Sequence, residues 1–342
     1  MPNDAPLAEL ADRAFALVEG HVAGGALPAA ALGIVDRDGQ AELRYAGFAE
    51  RQPAERVLAA DAWFDLASLT KVILTTTAVL RLAQDGRLDL EAPLAGPLPD
   101  LLQVTAAHPL RQRTPAQLLS HTAGLPAWAP LYTLGIPPDT LKAYVMQREW
   151  PLGADAYSDL GFILLGILVE RLSGTPLRRQ PQALGLGPGL GFDPPRGDTV
   201  STEHCQWRGR VLRGEVHDEN AFAFGGVAGH AGLFGTAAGV LGFAHRLLAA
   251  DLLSQATLDR LAVRRGATHG LGWQVRHAGW LGGDACGERT IGHTGFTGTG
   301  LWIDLDRGVA WTLLTNRVHP SRHRETPLQA VRRAVGDCIA GG

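Results

Sequence analysis

Ser68 and Lys71 stand three residues apart in Trp63-Phe64-Asp65-Leu66-Ala67-Ser68-Leu69-Thr70-Lys71-Val72-Ile73-Leu74, where the pattern predicts the start of a helix. That spacing puts both side chains on one helix face, the amine about one turn above the hydroxyl. A serine hydroxyl is a weak nucleophile until a neighbour takes its proton. A neutral amine does this, and a helix N-terminus favours the neutral form because its partial positive charge disfavours the ammonium. The same helix end can present backbone N–H groups to an oxyanion. Of 31 basic side chains only Lys71 and Lys142 are lysines; the rest are arginine, which cannot accept a proton near neutral pH. The pair is consistent with a titratable amine beside a nucleophile, although Ser-x-x-Lys also occurs in helices that do no chemistry.

Two further stretches carry candidate groups. Tyr157-Ser158-Asp159 opens a second helix. A tyrosine under a helix N-terminus and near a lysine is expected to have a lowered pKa and to shuttle protons; alternatively Ser158 is simply an N-cap with Tyr157 packed beside it. His293-Thr294-Gly295-Phe296 precedes a strand at Gly300. Small residues there let a ligand's backbone lie close, and His293 would bind a carboxylate or donate a hydrogen bond. The other reading is a surface histidine before a turn.

Ser-x-x-Lys, Tyr-x-Asp and His-Thr-Gly, in this order and spacing, resemble the serine β-lactamase and penicillin-binding protein family: class C β-lactamases, D-alanyl-D-alanine carboxypeptidases and related esterases and D-aminopeptidases. The resemblance runs from Phe48 to Pro320 and includes Leu118-Leu119-Ser120-His121-Thr122-Ala123-Gly124-Leu125-Pro126 and Gly225-Gly226-Val227-Ala228-Gly229-His230-Ala231-Gly232-Leu233-Phe234. His217-Asp218-Glu219-Asn220 and Leu314-Thr315-Asn316-Arg317-Val318-His319-Pro320 resemble a bacterial subgroup of β-lactamase-like hydrolases.

The resemblance implies Ser68 as acylated nucleophile, Lys71 as its proton acceptor and Tyr157 as the relay to the leaving group and to the deacylating water. It implies that His293, Thr294, Gly295 and Asp159 line the substrate site, and that the N–H groups of Ser68 and Phe296 form an oxyanion hole. Two departures stand out. Histidine replaces the lysine common in the third motif, removing a permanent positive charge. Asp159 replaces a common asparagine, exchanging an amide donor for an anion. Both disfavour a β-lactam carboxylate and fit an esterase or a peptidase acting on another acyl group. The implied function is a serine hydrolase cleaving a small-molecule ester, amide or peptide; the alternative is a penicillin-binding or muropeptide-sensing module that does not turn over.

Composition narrows the classes. The chain has 342 residues, 46 % of them apolar, and a net charge of −3, which gives no electrostatic case for nucleic acid. Cys205, Cys286 and Cys338 form no framework and fit a reducing compartment. Met1–Pro6 lacks a leader signature. The apolar run Leu160 to Val169 is too short for membrane insertion. The expectation is a cytoplasmic protein. Among twelve histidines, His217 and His230 with Asp218 come nearest to a ligand set, but no metal-binding spacing occurs, so no metal and no cofactor is expected.

The elements that must hold these groups follow in order. Leu7, Leu10, Ala14, Leu17 and Val18 predict an amphipathic helix. Ala30 to Val35 and Ala41 to Phe48 predict strands joined by a turn at Asp38-Gly39. The Ser68 helix is expected to stop at Asp85-Gly86. Helices at Thr114 to Ser120, Thr140 to Gln147 and Asp159 to Leu172 follow, with Leu184 to Pro195 a plain loop. Ala237 to Ala250 predicts a helix, then Gly270 to Arg276, Gly300 to Asp304 and Val309 to Thr315 strands, and Leu328, Val331, Val335 and Ile339 a closing helix. The fold class is α+β: one β-lactamase-like unit over 1–342. Its antiparallel sheet, from 1–66 plus 236–342, is flanked by terminal helices, and 67–235 is a mostly helical insert. A cleft between the two parts is the expected site.

Overall fold

Strand β1 (Ala29–Asp36) alternates its burial partners with a period of two. Ala30, Leu32 and Ile34 join one apolar cluster, whereas Ala29, Ala31 and Val35 join another, so the strand has helices on both faces. In the computed structural model, which describes residues 6–341, β2 (Ala41–Glu50) and β3 (Arg56–Val57) follow on one side of β1. The reading of Met1–Pro6 concerns residues outside that range, Pro6 apart. The β1–β2 hairpin turns at Asp38-Gly39, where Gly39 takes a φ of +86°.

Four short strands, β4 (Phe64–Asp65), β5 (Leu190–Gly191), β6 (His204–Cys205) and β7 (Arg210–Val211), leave the main sheet, and β8 (Phe234–Gly235) joins β4 to β5. The chain re-enters the sheet as β9 (Gln274–Val275), β10 (Thr290–Thr294), β11 (Gly300–Asp304) and β12 (Val309–Thr315). The order is β3-β2-β1-β12-β11-β10-β9, with every neighbouring pair antiparallel, so strands from the two ends of the chain meet at β1 and β12. Helices Leu7–Ala23 and Leu328–Gly341 cover one face with Leu10, Ala14, Val18, Val335 and Ile339, packed against the stacked rings of Trp302 and Trp311. Helix Ala237–Leu248 covers the other face. Each fully buried Leu or Ile in these layers stabilises by roughly 1.5–3 kcal/mol.

Two expectations on local structure change. The strand expected over Gly270 to Arg276 shrinks to Gln274–Val275, because Gly270 N–H folds back onto Trp273 O and Gly272 takes a φ of +81°. The loop expected over Leu184 to Pro195 contains β5, which pairs with β8. The other helices lie within a few residues of their expected ends: Pro115–Leu119, Pro138–Gln147, Asp159–Ser173 and Ala237–Leu248. Among the described residues no single helix is long and apolar enough to cross a membrane.

Candidate active site

Ser68 sits on a sharp turn between β4 and the helix that carries Lys71. β4 is tied to β8, and Leu66 N–H donates to Leu233 O at 3.0 Å. Ala67 then takes a φ of +47°, a left-handed conformation unfavourable for a residue with a Cβ. The buried Asp65 carboxylate holds that turn by accepting from Ala67 N–H at 2.8 Å and from His217 N–H at 2.6 Å. Past Ser68 the chain winds as π-helix over Lys71–Thr76 before continuing as α-helix to Gln84. Such wide turns cluster at functional sites.

Lys71 is fully buried, and Nζ lies among three oxygen acceptors: Ser68 Oγ at 2.9 Å, Asp159 Oδ1 at 2.8 Å and His230 O at 3.1 Å. His230 O reaches Lys71 because Gly229 presses against the Asp159–Ser173 helix; a Cβ at Gly229 would lie 2.0 Å from Phe162 O. Thr75 Oγ1 donates to Gly229 O and locks the same approach. Asp159 comes into place because Ser158 caps its helix, Oγ accepting from Gly161 N–H.

The protonation states differ from the sequence expectation. Burial favours a neutral Lys71, but the Asp159 carboxylate and Tyr157 outweigh it and raise its pKa, so the resting group is an ammonium. Tyr157 was expected to be acidified; instead burial of its hydroxyl raises its pKa despite Lys71 and Ser68 beside it. The residue as a whole is 39 % exposed, and Lys71 Nζ lies 5.0 Å from its ring centroid. The phenol therefore stays protonated. Asp159, grouped from the resemblance with substrate-contacting residues, is the counter-ion of Lys71.

His293 also changes role. It lies on β10, buried, with Nδ1 2.9 Å from Thr294 O. A carbonyl oxygen only accepts, so Nδ1 carries the proton and the unpartnered Nε2 is a bare acceptor. Burial and the nearby cations hold its pKa well below the ordinary value, so it neither donates through Nε2 nor offers positive charge to a carboxylate.

The β10–β11 turn is stitched directly onto the Ser68 turn. Thr297 Oγ1 donates to Asp65 O at 2.7 Å and Thr299 Oγ1 to Leu66 O at 3.0 Å. Gly295 makes this possible: a Cβ there would lie 2.2 Å from Thr299 Oγ1 and 2.5 Å from Leu66 O. The Phe296 ring, half exposed, stacks on His217 at 5.6 Å and under the Arg317 guanidinium at 4.7 Å. His217 is braced by Glu203, which burial would push up but which Arg322 and His217 hold at about 2. Among the described residues neither Ser68 N–H nor Phe296 N–H has an intrachain acceptor.

Several residues not assigned a role from the sequence belong to this site. His121 and His269 surround Tyr157 with His293; ring centroids of His121 and Tyr157 are 4.5 Å apart, those of Tyr157 and His269 5.8 Å. His121 Nδ1 accepts from Ser158 N–H at 2.9 Å. Burial depresses His121 well below its usual pKa and His269 to about 4, so all three imidazoles are neutral at pH 7. Asp218 pairs with His230 at 2.9 Å, and both place ligand atoms within 4.8 Å of Asp159, with Lys71 close enough to help hold Asp218 ionised. The two clearest sequence signals were the histidine after Ser120 and the unusual His-Asp-Glu-Asn stretch, whose Asn220 ties Tyr132 N–H to Ala129 O.

A model of the Beta-lactamase family matches residues 14–335. The chain belongs to the β-lactamase family. It is 30 % identical over 360 residues to the N-acetylmuramyl-L-alanine amidase of Bacillus subtilis, covering 89 % of this chain and 80 % of that one. It is also 30 % identical over 304 residues to an Escherichia coli protein named "Putative D-alanyl-D-alanine carboxypeptidase", covering 75 % and 69 %. The fold is shared with EstCE1, a hydrolase with promiscuous acyltransferase activity (TM-score 0.75, 22 % identity, 96 % and 98 % of the two chains). It is shared too with a class C β-lactamase from Rhodobacter sphaeroides (TM-score 0.70, 19 % identity, 97 % and 99 %). This β-lactamase-family protein is accordingly a serine hydrolase with the expected α+β architecture.

Proposed function

We propose that this β-lactamase-family hydrolase cleaves an amide, of the muramyl-peptide or D-amino-acid-peptide class, through an acyl-enzyme on Ser68. The 2.9 Å contact between Lys71 Nζ and Ser68 Oγ inside a buried cage of acceptors carries this reading. The amidase and carboxypeptidase relatives support an amide over an ester.

In the resting site the Lys71 ammonium donates to Ser68, so it must lose a proton before it can accept one. Asp159 Oδ1, at 2.8 Å, is the acceptor in reach. With that proton on Asp159, the neutral amine takes the proton from Ser68 as Oγ bonds to the substrate carbonyl carbon. The resulting oxyanion is met by the N–H groups of Ser68 and Phe296, each such donor typically worth about a hundredfold or more in rate. Tyr157, a protonated phenol, gives its proton to the leaving nitrogen as the C–N bond breaks, and Lys71 re-protonates it. Water then attacks the acyl carbon, losing its proton to the Tyr157–Lys71 pair, and Oγ leaves with a proton. Asp159 returns its proton to Lys71.

Intact-protein mass spectrometry after brief exposure to a muramyl peptide, a penicillin and an activated acyl ester, with wild type and Ser68→Ala side by side, tests this. A Ser68-dependent acyl adduct that clears with product release is the expected result. Turnover that survives in Ser68→Ala would sink the proposal, and an adduct that never clears would replace the hydrolase with a sensor.

A further inference from the structure

His121 stands where a helix ordinarily ends on glycine. Helix Pro115–Leu119 closes with Thr122 N–H donating to Gln117 O at 2.9 Å and His121 N–H to Leu118 O at 3.3 Å. That closure puts His121 in the left-handed region, at a φ of +59°, which glycine adopts without the strain a Cβ brings. The side chain carries a second cost. The residue is 6 % exposed, and because Nδ1 accepts from Ser158 N–H, the ring proton sits on Nε2, which has no acceptor among the described residues. Burial, with His269, Lys71 and His293 nearby, keeps the ring neutral, as an accepting Nδ1 requires.

Against these two costs stands the contact of Nδ1 with Ser158 N–H at 2.9 Å. Ser158 is buried, so its N–H would otherwise be left unpaired away from water. The bond fixes the plane of the Tyr157–Ser158 peptide, which has Tyr157 on one side and Asp159 beyond the other. The His121 ring also lies against the Tyr157 ring, their centroids 4.5 Å apart, and against Phe162 at 5.2 Å. Two carbonyls further along the same loop complete the hold. Ser158 Oγ donates to Pro126 O at 2.7 Å, and Asp159 N–H to Ala127 O at 2.8 Å. Those two bonds act on Ser158 and Asp159, whereas His121 bears on Ser158 and on the Tyr157 ring together. From there the reacting groups are one contact away: Asp159 Oδ1 lies 2.8 Å from Lys71 Nζ, and the Tyr157 hydroxyl lies beside Lys71 and Ser68.

We propose that His121 is a positioning residue that sets the acid and the counter-ion of the site at once. Its Nδ1 holds the Tyr157–Ser158 peptide and its ring backs the Tyr157 ring, so that the phenol meets Ser68 while the Asp159 carboxylate meets Lys71. The catalytic meaning of this placement rests on the hydrolase reading; the hold itself stands on the hydrogen bond and the ring contact.

His121→Gly and His121→Asn test it as a pair. Glycine and asparagine both tolerate a positive φ, so the comparison reads the side-chain acceptor and not backbone strain. The Asn Oδ1 stands in the place of Nδ1, while glycine offers nothing. Circular dichroism establishes folding, and hydrogen exchange by NMR at the Ser158 amide reads the hold without requiring turnover. In His121→Gly that amide should exchange about tenfold faster or more. kcat/KM should fall about a hundredfold, the scale for a misplaced catalytic group, with its alkaline rise moved to lower pH because Asp159 no longer stays on Lys71. His121→Asn should keep wild-type exchange and a wild-type pH profile, and stay within about tenfold of wild type in kcat/KM for the lost ring contact. Wild-type exchange and pH profile in folded His121→Gly, or His121→Asn behaving as His121→Gly does, overturns the proposal. If His121→Gly does not fold, His121→Asn decides alone: fast Ser158 exchange or a shifted profile overturns the proposal, and wild-type behaviour in both supports it. Absence of a Ser68 adduct in wild type would remove the hydrolytic assignment, and exchange at Ser158 would still decide the hold.

Discussion

Asp159 Oδ1 lies 2.8 Å from Lys71 Nζ, and this one contact decides which form of the lysine the resting site holds. The amine is buried enough to be neutral, yet the carboxylate keeps it charged. Replacing Asp159 by asparagine removes the anion and lowers the Lys71 pKa. The wild-type kcat/KM is expected to rise with pH toward the alkaline range, and in Asp159→Asn that rise should move to lower pH by more than about one unit. An unshifted pH–rate profile in a folded Asp159→Asn enzyme would show that another group governs the limb.

Lys71→Arg keeps the positive charge but loses the proton acceptor. Turnover should fall by roughly 10²- to 10⁴-fold, the usual worth of a positioned acid–base group. Steady-state kinetics on the substrate that gives the Ser68 adduct measures this, and near wild-type turnover would take lysine out of the mechanism.

Gly295→Ala forces a methyl group against Thr299 Oγ1 and Leu66 O. The β10–β11 turn must move away from the Ser68 turn, carrying Phe296 N–H with it. The acylation rate is expected to drop about a hundredfold, as for a lost oxyanion donor, with a stability loss of roughly 1–3 kcal/mol. Stopped-flow acylation and chemical denaturation read the two effects separately. A wild-type acylation rate would mean that Phe296 N–H does not face the developing charge.

The neutral imidazoles make the fold sensitive to acid. His269 has a folded pKa of about 4 against an ordinary 6.5, so on acidification the unfolded chain takes up the proton first. Stability is full above pH 6.5 and falls as pH drops from there toward 4. At pH 5 this group alone accounts for about 2 kcal/mol. His269→Gln should remove about that much of the difference between denaturation curves at pH 7 and pH 5. An unchanged difference would show that His269 protonates freely in the folded protein.

Much of this protein was legible in the chain because the relevant physics is local. The shared face of Ser68 and Lys71, the Asp38-Gly39 turn, the Ser158 cap and the apolar Asp159–Ser173 helix all depend on neighbours within about one helical turn or across a two-residue turn. Where local signals misled, a distant partner prevailed. β5 exists because Phe234–Gly235 is there to pair with it.

The charges of the site were not legible, because a pKa is set through space by whatever the fold brings near. Lys71 reads from its own segment as a candidate neutral amine; Asp159, 88 positions later, makes it an ammonium. Tyr157 reads as an acidified phenol until its hydroxyl is buried, and His293 reads as a donor until Thr294 O takes its only proton. A cavity lined by four arginines joins the Thr294–Phe296 turn to Arg317 and the first turns of the last helix. Nothing in the spacing of Arg317, Arg324, Arg332 and Arg333 announces that they share one cavity with, among the described residues, no carboxylate partner. The residue types that do the chemistry were determined by the sequence itself, whereas their protonation and their unbalanced charge were decided only by tertiary packing, since electrostatic interaction depends on distance and burial rather than on order along the chain.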